Sequence, residues 1–216
     1  TPQSDDRRAS GAQHATADET ERSVGDALET PLTEVRSLVD LRPLPTEGPV
    51  AQFLAYNVDA DTMVKVATVT PDVTMDDHLR TAIREVRNGW RNIGTHPNAV
   101  RPVDWGEDPV PWIAVAEEPR WTPLAEVAAD LDPPTISLLV EAIAEVVRNA
   151  ALYNTSHGNL TPRTIVVDPR EETPLVGDWG FERAVVDHVA GPLVTPYTAP
   201  EQLEGVTAGR RTDIYG

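Results

Sequence analysis

His157-Gly-Asn-Leu-Thr-Pro-Arg-Thr-Ile-Val-Val167 decides the reading of this chain, together with Asp178-Trp-Gly180, which begins eleven residues after it. The loop Thr155–Pro162 feeds a short β-branched strand, Thr164–Val167, and a second one, Leu175–Val176, ends near Asp178. Upstream, Pro133–Asn154 reads as a long helix. Its Ile136, Leu139, Val140, Ile143, Val147, Ala150 and Ala151 form a broad apolar stripe suited to a core. A shorter helix around Pro123–Asp130 precedes it. Further back lie five strands: Ser37–Arg42, Val50–Val58, Thr62–Thr70, Ala99–Trp105 and Pro111–Ala116. The proline-rich break Pro43–Pro49 separates the first two, and Asp59-Ala-Asp61 turns the second into the third. One helix interrupts the strands, with Leu79, Ile83, Val86, Trp90 and Ile93 on one face. Thr74 and Asp77 read as its acidic capping box, and His96-Pro-Asn98 ends it. Downstream of Gly180 the chain reads as irregular up to Glu201. The pattern predicts an α+β fold, a small sheet-rich lobe followed by a helical one.

Composition narrows the partners. The 216 residues carry a net charge of −17, which argues against nucleic acid and against an anionic membrane surface. Acidic chains are often disordered, but here 40% of the residues are hydrophobic and fall in periodic blocks. No run approaches the roughly 18 apolar residues of a membrane span. Cysteine is absent, which removes disulfides, thiolate metal sites and thiol catalysis and makes a cytoplasmic location the default. Of the eighteen basic residues seventeen are arginine, and Lys65 is the only lysine. Many acids, few lysines and few large aromatics resemble the proteins of salt-loving archaea. Residues 1–36 read as an acidic, disordered linker. The chain begins at Thr1 and stops at Tyr215-Gly216 within the start of a helix, so it reads as a piece of a longer protein.

Six short matches in one order resemble the protein kinase superfamily, in its bacterial and archaeal Ser/Thr form. His157–Val167 resembles the catalytic loop H-R-D-L-x-x-x-N, and Asp178-Trp-Gly180 resembles D-F-G. Thr195-Pro-Tyr-Thr-Ala-Pro-Glu201 resembles the end of an activation segment, and Thr212-Asp-Ile-Tyr215 the start of the next helix. Val64-Lys-Val66 sits where V-A-I-K would be, and His96-Pro-Asn-Ala-Val100 follows the regulatory helix. Any one of these is weak, and D-x-G alone is commonplace. The resemblance spans about Ser37 to Gly216. It implies a two-lobed fold, with residues 37–118 as a five-stranded antiparallel N-lobe carrying one helix. Residues 119–216 would be a truncated, mainly helical C-lobe.

The candidate site residues follow from the match. A strand lysine is ordinarily solvated, but Lys65 is a lone ammonium retained where every other cation is arginine, and it suits a nucleotide phosphate. The resemblance makes Glu85 its partner. The family's spacing, counted back from His96, falls instead on Val86 or Arg87, and Glu85 lies off the apolar stripe. Asp178 corresponds to the carboxylate that holds Mg²⁺ against phosphate, although an aspartate before a turn glycine is common anyway. ATP and Mg²⁺ are thus the implied ligands, bound weakly.

Departures from the pattern decide the expected activity. Asn159 stands at the catalytic aspartate, and a carboxamide cannot take a proton from a substrate hydroxyl. General-base help is worth about 10²–10⁴-fold. Thr161 replaces the lysine near the transferred phosphoryl, and Thr164 replaces the asparagine that holds a second Mg²⁺. Gly158 replaces the arginine that reads a phosphorylated segment. The Pro43–Pro49 turn has one glycine, Gly48, where a phosphate-covering loop is glycine-rich. The expected function is a pseudokinase that binds nucleotide weakly and serves as a signalling or interaction module. The alternatives are a low-activity Ser/Thr kinase using one metal, or a scaffold that binds no nucleotide. A small-molecule kinase with an H-G-D loop fits less well, because those lack the Ala-Pro-Glu segment.

Overall fold

Alternation of small and β-branched residues builds the first sheet. In the computed structural model, which describes residues 30–216 apart from Glu47, Pro169, Pro192, Leu193 and Thr207, β1 (Leu38–Leu44), β2 (Val50–Asn57) and β3 (Thr62–Val69) form an antiparallel meander. Helix α1 (Asp77–Ile93) follows, then β4 (Pro102–Gly106) and β5 (Trp112–Ala116), which complete a five-stranded sheet of order β1-β2-β3-β5-β4. The period of two sorts its faces. Phe53, Ala55, Val64, Val66, Trp112 and Ala114 pack on one side, and Val50, Val69, Ile113 and Val115 on the other, towards α1.

The linker expectation for residues 1–29 lies outside the described residues. Its last part is corrected: Pro31–Glu34 is a 3₁₀ turn whose Leu32 is fully buried with Leu38 and Phe53. Leucine at a site with no water access is held by the sheet's outer cluster, which a reading of local polarity does not detect.

Leu79, Ile83, Trp90 and Ile93 of α1 are buried, as their shared face predicts. Its N-cap is Asp76, whose Oδ1 accepts the Leu79 N–H at 2.8 Å; Thr74 lies outside the helix. The predicted capping box is therefore shifted, because Asp76 is better placed for the third backbone N–H. The Trp90 indole donates to the Val100 carbonyl at 2.9 Å and anchors the helix to the segment that follows.

The second lobe begins with β6 (Thr122–Pro123), α2 (Leu124–Val127) and the long α3 (Pro133–Leu152). Asp132 caps α3 by accepting the Thr135 N–H at 2.8 Å, and Pro133 opens it, where no N–H is needed. Leu139, Val146, Val147 and Ala150 are buried, but Ile136 and Val140 of the predicted stripe remain exposed, Val140 lining an apolar groove. Strands β7 (Ile165–Asp168) and β8 (Thr173–Val176) form an antiparallel hairpin to which β6 adds an edge. The segment read as irregular contains a helix, α4 (Phe181–Ala190), and a short α5 (Pro200–Leu203); α6 (Arg210–Tyr215) ends the described chain.

Val100 N–H bonds Val176 O at 2.9 Å, and Val176 N–H bonds Asn98 O at 2.8 Å. These bonds stitch the sheet lobe to the β7–β8 hairpin. One apolar cluster runs through the seam, from Ile113 and Val115 to Val146, Ile165, Val176 and Trp179. No helix among the described residues is long and apolar enough to cross a membrane.

Candidate functional site

A cleft of about 330 Å³ lies where β2, β3 and β5 face the β7–β8 hairpin and the start of α4. Its walls are mixed: Val50, Ala67 and Val115 supply apolar surface, while Lys65, Asp178 and Glu182 supply charge. The size suits a small organic ligand.

Asp213, at the start of α6, organises the loop below this cleft. Its buried carboxylate accepts the His157 N–H at 2.8 Å on Oδ2 and the Gly158 N–H at 2.7 Å on Oδ1. Burial pushes its carboxyl above the usual carboxylate range, against the two N–H bonds and the His157 ring, which favour ionisation. The His157 ring, also buried, bonds the Gly177 carbonyl through Nε2 at 2.6 Å and accepts the Asn159 N–H on Nδ1 at 3.2 Å. Those partners assign the neutral tautomer with its proton on Nε2. Burial holds its pKa below the usual imidazole value, outweighing the nearby Asp178 and Asp213 charges. The ring packs on Trp179, 4.9 Å between centroids, and the Trp179 indole donates to Val176 O at 3.0 Å. Gln202 ties the loop to α5: its Nε2 donates to Gly158 O at 2.8 Å and its Oε1 accepts the Ala199 N–H at 3.0 Å.

The sequence-predicted residues fall into three groups. Lys65, Asp178 and Thr164 line the cleft. Asn159 does not line the cleft itself but reaches it through Asp178, whose Oδ2 accepts the Asn159 Nδ2–H at 3.5 Å. Asp178 Oδ1 accepts the Glu182 N–H at 3.3 Å, and its backbone sits at φ +47, a left-handed value unusual for aspartate. Thr164 faces the cleft but spends its hydroxyl inside its own loop. Oγ1 accepts the Thr161 N–H at 3.0 Å and lies 3.1 and 3.0 Å from the carbonyls of Asn159 and Thr161. Thr161 belongs to the other side: its Oγ1 accepts the Arg163 N–H at 3.2 Å, and it lines the apolar groove beside α3 and α6.

Glu85 is not brought to the cleft. It is exposed and lines a separate polar groove between α1, α4 and the loop before His157. The neighbouring Val86 lines the same groove and is partly buried against the core. The carboxylates that feel Lys65 are Glu117, just after β5, and Glu182 in the first turn of α4. Burial pushes both carboxyls up and Lys65 pulls both down; Asp178 adds to the rise at Glu182 and Glu118 to that at Glu117. Sequence reasoning missed both. The signal for Glu182 was available: Phe181, Val185 and a closing Gly191 mark a short helix directly after Gly180.

Among the described residues, no cluster of three or more His, Asp or Glu side chains is arranged to hold a metal by itself. A divalent ion here would rest on Asp178, with phosphate oxygens completing its shell. Donor chemistry fits that use: Asp178 supplies hard carboxylate oxygens, and Lys65 supplies the counter-charge a polyphosphate needs.

No protein-family model matches the chain, and no curated protein matches it. Solved structures do. The kinase domain of Mycobacterium tuberculosis PknI is similar at 20% identity over 82% of this chain and 68% of that one, with a TM-score of 0.62. A double mutant of the same domain matches at 21% identity, covering 82% and 70% of the two chains, with a TM-score of 0.62. At that identity the likeness is one of fold. The chain has a two-lobed, protein-kinase-like fold.

Proposed function

We propose that this chain is a pseudokinase domain, one that binds a nucleoside triphosphate weakly with a single Mg²⁺ and works by binding rather than by phosphoryl transfer. The observation that carries the reading is the pairing of the Asn159 amide with Asp178, above a loop whose Thr164 hydroxyl is already committed to the backbone. No carboxylate stands at position 159 to take a hydroxyl proton, and Thr164 has no free geometry for a second ion. Lys65 and Asp178 remain for phosphate and metal. Mg²⁺, when bound, would screen phosphate charge; the chain's own residues would hold and orient the nucleotide and nothing more. Pro45 and Thr46 line the cleft where a flexible, N–H-rich cover would lie, and proline offers no N–H. Lys65 and Asp178 in one cleft also support the alternative, a Ser/Thr kinase of low activity orienting its substrate through Asn159.

The arginine-rich, strongly acidic composition supports a salt-adapted archaeal source, and the absence of cysteine supports a cytoplasmic setting. Phosphotransfer from radiolabelled ATP, in molar KCl with Mg²⁺ or Mn²⁺, should be undetectable for the wild type and for Asn159→Asp. Turnover near the roughly 1–100 s⁻¹ of active kinases would overturn the reading. In the same buffer ATP–Mg²⁺ should raise the Tm of the wild type, and Lys65→Met or Asp178→Ala should each abolish the rise.

A further inference from the structure

Between β5 and β6 the chain passes along the cleft, and few of its backbone donors are left for a ligand. Ala116 N–H bonds Arg101 O at 2.9 Å, Glu117 N–H bonds Met63 O at 3.2 Å, and Trp121 N–H bonds Glu118 O at 2.9 Å. Pro119 has no N–H at all. Ala116, Glu117, Pro119 and Trp121 therefore present a ligand with no backbone donor.

What this stretch offers instead is an acceptor. Glu117 lines the cleft together with Val115, Ala116 and Trp121, and it is half-buried. Among the described residues no protein group donates a hydrogen bond to its carboxylate; Lys65 and Glu118 act on it through charge alone. A half-buried acceptor without a protein donor favours a ligand that brings one. The position suits one end of a nucleotide. Trp121 leads into β6 and Asp178 follows β8, the two edges of the sheet β6-β7-β8. Two strand spacings, about 10 Å, separate those edges. A ligand whose metal-bound phosphates rest at Asp178 thus has room to bring its base to Glu117.

A carboxylate reads a base by the donors on its pairing edge. Guanine presents two side by side, N1–H and the N2 amine, which match the two carboxylate oxygens. Adenine presents one amine beside the N1 lone pair, and that lone pair would face a carboxylate oxygen. We propose that Glu117 is the base-reading residue of the cleft and selects guanine, so that the preferred ligand is GTP with Mg²⁺ and ATP is the weaker one. The proposal rests on the nucleotide-binding reading above and names the base that reading leaves open. A site that pairs both donors rejects a base lacking one, because an acceptor is then left unpaired.

The test is calorimetric titration of the wild type and Glu117→Gln with the Mg²⁺ complexes of GTP, ITP and ATP, at pH 8 in molar KCl. The wild type should bind GTP roughly tenfold tighter than ATP, with ITP, which lacks the N2 amine, between them. Glutamine keeps the shape of glutamate, but its amide sets one donor and one acceptor against the base, a match for adenine. Glu117→Gln should therefore abolish the GTP preference. Equal affinity of the wild type for GTP and ATP, or tighter binding of ATP, overturns guanine selection while leaving nucleotide binding intact. A GTP preference that survives in Glu117→Gln also overturns it, since the base would then be read elsewhere. The wild-type order alone tests the proposal should the variant not fold. Absence of binding of all three nucleotides at millimolar concentration by the folded wild type removes the nucleotide reading and this inference with it.

Discussion

Asp213→Asn tests whether a single buried carboxylate builds the loop at His157–Asn159. The side chain is about 5% exposed, and its two oxygens each accept one backbone N–H, at 2.8 and 2.7 Å. An amide of the same shape has one acceptor oxygen, so either His157 or Gly158 N–H must face an NH₂ group. A hydrogen bond to a charged group contributes about 1.5–3 kcal/mol, and an orphaned buried donor costs about 1–3 kcal/mol. Burial already disfavours the ionised carboxyl, and the neutral amide escapes that penalty. The net loss should therefore be near the lower figures, about 2 kcal/mol. For a domain of this size 1 kcal/mol moves Tm by about 2–4 °C, so a fall of about 4–8 °C is expected. Circular dichroism melting at pH 7.5 measures it, and amide exchange locates it: His157 and Gly158 should lose protection first. A Tm within 1 °C of wild type, with both amides still protected, would show that the loop holds its shape without Asp213.

Two further outcomes are specific to the loop's surroundings. Because burial keeps His157 neutral, the unfolded chain takes up a proton more readily than the folded one. Its stabilising effect is complete above about pH 6.5 and falls with pH below that by up to about 1.4 kcal/mol per unit. His157→Gln lacks the titration and can still donate to Gly177 O, so the stability difference between the two proteins should shrink from pH 7.5 to 5.5 in urea melts; a constant difference would refute it. Trp179→Phe installs the residue of the resembling D-F-G motif, yet it removes the bond to Val176 O and leaves space where a 2%-exposed indole was packed. It should cost about 2 kcal/mol in the same assay, and a neutral or stabilising result would contradict the packing described.

Where local chemistry and tertiary position agree, the sequence is legible. Alternation of Val64 and Val66 against Lys65 separates the face packed with Leu32 and Phe53 from the face that opens on the cleft, and the apolar spacing from Leu79 to Ile93 predicts the buried face of α1. His157, Asn159 and Asp178 could be assigned to one site because the loop and the Asp178-Trp-Gly180 turn resemble the motifs of one family, not because of their local chemistry. Glu85 failed because one residue of register turns a helical side chain by about 100°; Val86 is partly buried against the core and Glu85 went to solvent. Helix α4 was missed because a resemblance to an activation segment favours irregular structure there, although the spacing of Phe181 and Val185 before Gly191 carried a helix signal. Ile136 and Val140 show the reverse error: an apolar stripe states what a helix is able to bury, and only the neighbours determine how much of it is covered. Leu32 was missed for the same reason, since its partners lie on strands that follow it in the chain.

The seam between the lobes has a consequence for how this domain can be altered. Trp90, Val100, Ile113 and Val115 share one apolar cluster with Val146, Ile165, Val176 and Trp179. A Cβ on Gly177 would come within 3.3 Å of Val100 Cγ2, so the fit across the seam is tight at this point. The two lobes are therefore poor modules for exchange. A sheet lobe taken from another protein would bring side chains shaped for a different hairpin, and a graft at residue 118 would have to carry matching residues at 100 and 177. Changes at the seam are inherited in pairs or not at all.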